Sequence, residues 1–227
     1  MATAAQRFVI FDVETTGLRP DRGDRIIEIG AVALMGEDTI DEFSTLVHPG
    51  HSIPRDVAII HGITEEMLVG QPGPDEVMPK FHEFIGTSTL VAHNEPVGKV
   101  LLTSVNDVFG GHLTLPRYEI VDCGAFCEVI FFYISPKNLL GDFFYSLNAE
   151  FDVTVLRYEF DRHGLRLNNR HKCTLKMSRK RYPGLPNYRL ETVATHLLGI
   201  QVEDSRHHRA LDDARLTARI WLEMRKR

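Results

Sequence analysis

Two carboxylates stand two residues apart at the end of an apolar run near the N-terminus. Asp12 and Glu14 follow "RFVIF", whose β-branched and aromatic residues predict a buried strand. Because side chains alternate along a strand, both carboxylates lie on one face, and Val13 lies on the other. Two such groups repel each other and are costly to desolvate, and a hard divalent cation such as Mg²⁺ or Mn²⁺ relieves both effects. An exposed strand end with a turn-forming aspartate is the alternative for these three residues alone.

The strand that carries this pair needs a sheet around it, and the neighbouring sequence predicts one. "RIIEIGAVAL" and "IDEFSTLVHP" are the next two strands of an early meander, and "TLVAH" is a further apolar strand. Helices with apolar stripes are predicted over "DEVMPKFHEFIG", "RLETVATHLLGI" and "RALDDARLTARIWLEM". Strands followed by mixed strands and helices predict an α/β fold with a mixed sheet.

The composition is typical of a soluble globular protein. Of 227 residues, 43% are apolar and 25% are charged, which argues against a disordered chain or a membrane protein. The longest strongly apolar run, "VIFFYI", is far shorter than the ~20 residues that span a bilayer. The start of the chain lacks the apolar core of a signal peptide, and three cysteines do not form a disulfide framework. We therefore expect a protein of the reducing cytoplasm.

Positive charge is concentrated in one segment although the whole chain has a net charge of −5. Residues 157–189 contain ten Lys or Arg and only two acidic residues, a net charge of +8. A surface that follows nucleic-acid phosphates beside the acidic pair is one interpretation, and a solvated surface is the other.

The sequence "FDVETTGL" resembles the first motif of the DEDDh 3′–5′ exonucleases, the DnaQ-like family of the proofreading epsilon subunit of bacterial DNA polymerase III. Three further blocks resemble later segments of that family in the same order: "IHGIT", "NAEFDVTVLRYEF" and "HHRALDDARLTARI". The resemblance covers the chain outside residues 95–148. It implies a ribonuclease H-like α/β fold, with a mixed five-stranded sheet flanked by helices and interrupted by an inserted segment.

The resemblance also implies a catalytic site. Its catalytic residues would be His208 together with four acids that hold two divalent cations, Mg²⁺ or Mn²⁺: Asp12, Glu14, Asp152 and Asp213. His208 would be the general base that activates the attacking water, since the unperturbed pKa of histidine, ~6.5, lies near working pH. Contacts with the substrate end are implied for Thr15, Thr16, Gly17, Leu18, His61 and Ile63.

Three of these assignments have a competitor. His207 adjoins His208, but only His208 has the spacing "H-R-A-L-x-D". Asp212 adjoins Asp213, and helical geometry turns it ~100° away, so we expect Asp212 to be solvated. For Ile63, the alternative to a contact with the last base is plain core packing.

The second acidic motif occurs in two copies of unequal quality. "VAHN" ends at Asn94 and would continue into "AEFD", which begins at Ala149, so we predict an exonuclease domain of residues 1–94 and 149–227 with an insertion of residues 95–148. Alternatively, "HNEPVGKVLL" is the working turn and Gly98 replaces a lost aspartate. An intervening sequence that was not removed, or an inaccurate gene model, also explains the segment.

The resulting hypothesis is a metal-dependent 3′–5′ exonuclease that hydrolyses DNA to nucleoside monophosphates in proofreading or repair. Its partners would be single-stranded or frayed DNA 3′ ends and a DNA polymerase, with no membrane. Because little sequence follows the third motif, we expect at most a loose association with the polymerase. An RNase of the same superfamily is the first alternative, although "ETTG" rather than "EMTG" favours DNA. A catalytically silent module that binds nucleic-acid ends is the second.

Overall fold

The computed structural model describes residues 6–93, 128–131, 143–146, 151–201 and 209–226. The chain divides into two compact units. One unit is formed by Met1–Asn94 and Asp152–Arg227, and the other by Glu95–Phe151.

The described residues form seven strands and seven α-helices. The strands are β1 (Arg7–Thr15), β2 (Ile26–Met35), β3 (Asp38–Leu46), β4 (Thr89–Ala92), β5 (Glu128–Phe131), β6 (Phe143–Ser146) and β7 (His171–Cys173). The helices are α1 (Arg55–His61), α2 (Glu65–Leu68), α3 (Pro74–Ile85), α4 (Phe151–Arg162), α5 (Thr174–Arg181), α6 (Leu190–Leu198) and α7 (Ala210–Lys226).

A mixed five-stranded sheet organises the larger unit, in the order β3-β2-β1-β4-β7. The first three strands form the antiparallel meander, whereas β4 and β7 run parallel to β1. The carboxyl ends of β1, β4 and β7 therefore meet at one edge of the sheet. This topology confirms the predicted mixed five-stranded sheet.

The two faces of β1 pack against different helices. Phe8 and Ile10 belong to a buried cluster with Trp221 of α7, and the Phe8 and Trp221 ring centroids are 5.1 Å apart. On the other face, the ring centroid of Phe11 lies 6.3 Å from that of Phe81 of α3. Because Asp12 and Glu14 have the same parity as Phe8 and Ile10, they lie on the face that α7 covers.

Helices α6 and α7 confirm the apolar stripes predicted from the sequence. The predicted inward residues of α6 are all buried: Leu190, Val193, Ala194 and Leu197. By contrast, β7 and α5 were not predicted, because their short polar sequence has no clear period. None of the helices in the described ranges has the length and apolarity that crossing a membrane would require.

The smaller unit contains an antiparallel pair of strands. Strand β5 pairs with β6 in a register that places Glu128 opposite Ser146 and Phe131 opposite Phe143. Neither strand was predicted from the sequence, because residues 95–148 have no clear strand period. Gly98, the alternative to Asp152, lies outside the described residues.

Candidate active site

Three of the predicted acids converge at the carboxyl end of β1. One oxygen from each of Asp12, Glu14 and Asp213 lies within 4.8 Å of the other two, and each residue is half-buried. Asp12 and Glu14 come from β1, and Asp213 is the fourth residue of α7. Three carboxylates this close repel one another strongly unless a cation lies among them.

A glycine in β2 allows α7 to start close to the sheet. Gly30 is paired with Asp12, and a Cβ atom at Gly30 would lie 2.0 Å from the backbone nitrogen of Leu211. No side chain fits in that space. The backbone contact brings the first turn of α7, and with it Asp213, down to the level of Asp12.

Glu28 is a further carboxylate beside this cluster, and it anchors the start of α7. It pairs with Glu14 across β1 and β2 and is 2% exposed. Its oxygens accept hydrogen bonds from Arg209 Nε at 2.9 Å, from Arg209 Nη2 at 2.7 Å and from Ala210 N at 3.1 Å. The carboxylate thus satisfies a backbone donor of the first helical turn while Arg209 balances its charge. Sequence reasoning missed Glu28, although an acid inside the apolar run "IIEIGAV" was a visible signal.

Asp152 lies in the first turn of α4 and is only 6% exposed. Burial and the charge of Asp213 raise its pKa to about 7. In turn, burial raises the pKa of Asp12 well above its usual range, and the charges of Asp152, Glu14 and Asp213 raise it further. Asp152 therefore interacts electrostatically with Asp12 and Asp213.

A buried ion cluster ties α4 to the segment that follows β1. Glu159 has no exposed surface, and it accepts hydrogen bonds from Arg25 Nε at 2.7 Å, Arg25 Nη2 at 3.0 Å and Arg162 Nη1 at 2.9 Å. Arg162 also donates to the carbonyl of Pro20. Since Glu159 follows Asp152 by two helical turns, this cluster fixes the helix that presents Asp152.

The loop after β1 is built around two threonine hydroxyls. Thr15 Oγ1 donates to Gly17 O at 2.7 Å, and Thr16 Oγ1 accepts from Arg25 N at 3.0 Å. A Cβ atom at Gly17 would lie 2.4 Å from a carboxylate oxygen of Asp24, so a side chain there would displace Asp24, which accepts a hydrogen bond from Arg19 N at 2.7 Å. Both threonines are buried, and in this conformation their hydroxyls shape the loop.

A buried histidine closes the carboxyl end of β4. His93 Nε2 lies 2.9 Å from the carbonyl of Tyr188, and Nδ1 lies 2.8 Å from Thr174 Oγ1. Burial lowers the pKa of His93 to about 4, although the Tyr188 carbonyl and the charge of Asp213 act in the opposite direction. The neutral ring donates from Nε2 to the carbonyl and accepts from the threonine hydroxyl at Nδ1. It was visible in "VAHN", but the sequence analysis gave it no role.

Two of the predicted substrate contacts are buried. Ile63 has no exposed surface and belongs to a hydrophobic cluster with Ile27 and Leu68. His61 is 2% exposed, and its Nδ1 accepts a hydrogen bond from Ile63 N at 3.0 Å. The geometry therefore favours core packing for Ile63 and a local structural role for His61. Leu18 is half-buried and keeps surface that a base could contact.

The remaining predictions concern the start of α7. The side chain of Asp212 is 76% exposed and lies 3.4 Å from Arg215, so it points away from the acidic site as expected. The predicted base, His208, and its competitor, His207, lie outside the described residues.

Comparisons with known proteins show the family of this chain. The exonuclease family RNase T matches residues 9–114 and 139–221. This match extends into the predicted insertion from both sides. DNA polymerase III subunit epsilon of Aquifex aeolicus is 30% identical over 217 residues, which cover 96% of this chain and 79% of that protein. The PolC-type DNA polymerase III of Clostridium perfringens is 35% identical over 213 residues. That match covers 94% of this chain but only 11% of the polymerase.

Solved structures share the fold at lower identity. Exonuclease X, in complex with 5′ overhanging duplex DNA, has a TM-score of 0.56 and 23% identity, with 96% of this chain and 91% of that chain covered. Zinc-bound Escherichia coli exonuclease I in complex with single-stranded DNA has a TM-score of 0.63 and 16% identity, with 98% and 41% covered. On the family match and the epsilon relative together, this chain belongs to the DnaQ-like RNase T family of exonucleases.

Proposed function

We propose that this chain is a metal-dependent 3′–5′ exonuclease that hydrolyses DNA from the 3′ end to nucleoside monophosphates. The observation that carries the proposal is the convergence of Asp12, Glu14 and Asp213 within 4.8 Å, with Asp152 close enough to raise the pKa of Asp12. A group of acids held this close offers the hard oxygen ligands that divalent cations prefer.

The donor set fits two divalent cations, Mg²⁺ or Mn²⁺. All four proposed ligands, Asp12, Glu14, Asp152 and Asp213, offer hard carboxylate oxygens at one sheet edge. When bound, such cations supply the positive charge that stabilises a phosphodiester during displacement. The chain itself supplies the rigid placement: β1 fixes two acids, and Glu28 and Glu159 fix the helices that carry the other two.

His208 is proposed as the general base because it directly precedes Arg209, which Glu28 holds. In the resemblance to the family's third motif, His208 precedes Asp213 by five residues. It would accept a proton from the attacking water. Gly17 and Leu18 are the proposed contacts for the terminal nucleotide, on a loop that Thr15 and Thr16 keep closed.

The catalytic unit in this proposal consists of residues 1–94 and 149–227, with residues 95–148 as an insertion that takes no part in the chemistry. Removal of residues 95–148 is expected to keep or raise nuclease activity, measured as product released per chain under identical conditions. A collapse of activity in a deletion variant that still folds would show that the segment is a working part.

DNA is the proposed substrate on the strength of the relatives. The relatives named above are a DNA polymerase III subunit epsilon and a PolC-type DNA polymerase III. Two structures with this fold were solved with DNA. A cytoplasmic role in proofreading or repair, beside a DNA polymerase, follows from the same relatives. An RNase of the same superfamily is the second candidate.

The direct test is degradation of a 5′-labelled single strand with and without Mg²⁺. A 3′–5′ exonuclease produces a ladder that shortens from the 3′ end, stops when the metal is chelated and is absent in Asp12→Ala. The same assay on RNA of matched sequence separates the two nuclease candidates. Binding of the strand without any metal-dependent shortening would instead identify a silent end-binding module.

A further inference from the structure

We infer that the exposed face of α5, formed by Lys176, Arg179 and Lys180 and here called the basic helix face, binds the phosphate backbone of the strand upstream of its 3′ end. This inference rests on the proposed function, because it names where the nuclease substrate lies. Residues 163–189 contain eight Lys or Arg and no Asp or Glu, although the whole chain has a net charge of −5.

The three cations share one side of a helix whose other side is buried. Thr174, Leu175 and Ser178 of α5 are buried, whereas Lys176, Arg179 and Lys180 are exposed. At 100° per residue, the three cations occupy a stripe of ~100° opposite the buried residues. The basic helix face therefore presents its positive charge on the exposed side of α5.

Helix α5 follows β7 directly, at the sheet edge where the parallel strands β1 and β4 also end, and a hydrogen bond joins its first residue to His93, which follows β4. Thr174, the first residue of α5, contacts His93 Nδ1 at 2.8 Å, and His93 Nε2 contacts the carbonyl of Tyr188 at 2.9 Å. His93 lies close enough to Asp213 for that charge to affect its pKa. Helix α5 thus begins at the same sheet edge as the proposed metal ligands.

The guanidinium of Arg179 is held in place on this surface. It lies over the ring of Tyr188, 5.7 Å from the ring centroid. The same Tyr188 supplies the carbonyl that His93 contacts, so one residue connects the basic helix face to the end of β4. A guanidinium held against an aromatic ring has fewer conformations to lose when it binds a phosphate.

The negative charge of the neighbouring site favours a nucleic-acid strand as the partner of the basic helix face. The acidic site repels the phosphates of a strand until metal is bound, so a substrate needs positive charge next to the site. From Lys176 to Lys180 the helix rises ~6 Å, a length that suits contacts with two or three phosphates. A single strand that ends among the four acids can continue along this face, independently of its base sequence.

The test compares two triple variants that remove the same positive charge. One is Lys176→Gln with Arg179→Gln and Lys180→Gln; the control is Lys80→Gln with Arg219→Gln and Lys226→Gln, three exposed cations on α3 and α7. Both are placed in an Asp12→Asn background, and binding of a fluorescent single strand of about 20 nucleotides is followed by anisotropy at several salt concentrations. This readout needs no catalysis.

We expect the basic-face variant to bind the strand at least ten-fold more weakly. Its slope of log affinity against log salt should fall by about 2, since each lost phosphate contact on a single strand contributes ~0.7. The control should change affinity less than two-fold. Affinity and slope unchanged from the parent chain in the basic-face variant would overturn the inference. Equal losses in both variants would also overturn it, because they would indicate only a net-charge effect.

Turnover measurements separate this inference from the proposed function. With Asp12 restored, the basic-face variant should show a raised KM on the long strand, with at most a two-fold change on a thymidine dinucleotide. If the wild-type protein hydrolyses both substrates and the variant matches it on both, the inference is wrong and the proposed function stands. If the wild-type protein hydrolyses neither, the proposed function is wrong, while the anisotropy result still decides whether the face binds strands.

Discussion

Carboxylates at the sheet edge are neutralised in two different ways. Glu28 and Glu159 are almost fully buried, and each has an arginine from the chain within 2.7 Å. Asp12 and Asp152 lie instead among other carboxylates, and burial together with these charges raises their pKa values. The first pair is balanced by the protein itself, and the second calls for a cation from solution. The first two acids therefore stabilise the fold, whereas the second two are available for chemistry.

The largest expected effect comes from Asp12→Asn. Removal of one ligand from the site should lower metal-dependent turnover at least ~10³-fold, because the metals stabilise the reacting phosphate by several kcal/mol. In the absence of metal, the same change should leave the melting temperature equal or higher, since it removes repulsion among the four acids. Rates and thermal melts with a chelator test both halves. A variant that is both inactive and less stable would show that Asp12 helps to hold the fold.

Glu159→Gln should lower stability, whereas Asp12→Asn should not. The change leaves the guanidinium groups of Arg25 and Arg162 facing a neutral amide, and we expect the free energy of unfolding to fall by about 2–3 kcal/mol. Denaturant unfolding measures this directly. Glu76→Gln is the matched control, because its pair with Lys80 is exposed and contributes about 0.5 kcal/mol or less. A loss no larger than that of the control would contradict a structural role for the Glu159 cluster.

Glu28→Gln should lower turnover in addition to stability. The weakened bond to Arg209 and to the first turn of α7 lets Asp213 move, so we expect turnover to fall about ten-fold, equivalent to about 1.4 kcal/mol. More Mg²⁺ should be needed for half-maximal rate. Glu42→Gln is the control, since it removes an exposed pair between β3 and Arg215 of the same helix. Equal metal requirements in the two variants would rule out positioning by Glu28.

The last expected effect is a dependence of metal-free stability on pH. The pKa of Asp152 is about 7 in the folded chain and ~3.9 when unperturbed, so the folded state binds more protons between those values. Stability without metal should therefore fall as pH rises from about 4 to 7.

Thermal melts near pH 5 and near pH 8, with a chelator and with excess Mg²⁺, measure this dependence. Mg²⁺ should raise the melting temperature more near pH 8 than near pH 5, because the acids bind Mg²⁺ only when they are ionised. Asp152→Asn should reduce the difference between the metal-free melting temperatures at the two pH values. A variant with the same pH dependence as the wild-type chain would assign the effect to other groups.

The sequence predicted the parts of the site that local patterns encode. The alternation in "RFVIFDVET" placed Asp12 and Glu14 on one face of β1, and the helical period of "RALDDARLTARI" separated Asp213 from the solvated Asp212. What local patterns cannot encode is pairing between distant residues. Arg25 meets Glu159 at a separation of 134 residues, and Arg209 meets Glu28 at a separation of 181. Only the folded sheet brings these groups together.

The predicted substrate contacts show the same division. The motif around Ile63 indicated a position near the site, but its sequence could not distinguish a side chain that points at the substrate from one that points into the core. In the folded chain Ile63 packs against Ile27 and Leu68. Similarly, the sequence located Thr15 and Thr16 beside the site without revealing that their hydroxyls close the loop.

The most direct test of the shared four-acid site is calorimetric titration with Mn²⁺ of the wild-type chain and of Asp152→Asn near pH 8. If Asp152 joins Asp12, Glu14 and Asp213 as a ligand, the wild-type chain binds two ions and the variant loses at least one of them. Asp212→Asn serves as the comparison, because it removes an exposed aspartate that points away from the site, and this variant should still bind two. Binding of the same number of ions with the same affinity in wild-type and Asp152→Asn would contradict a metal site that includes the start of α4.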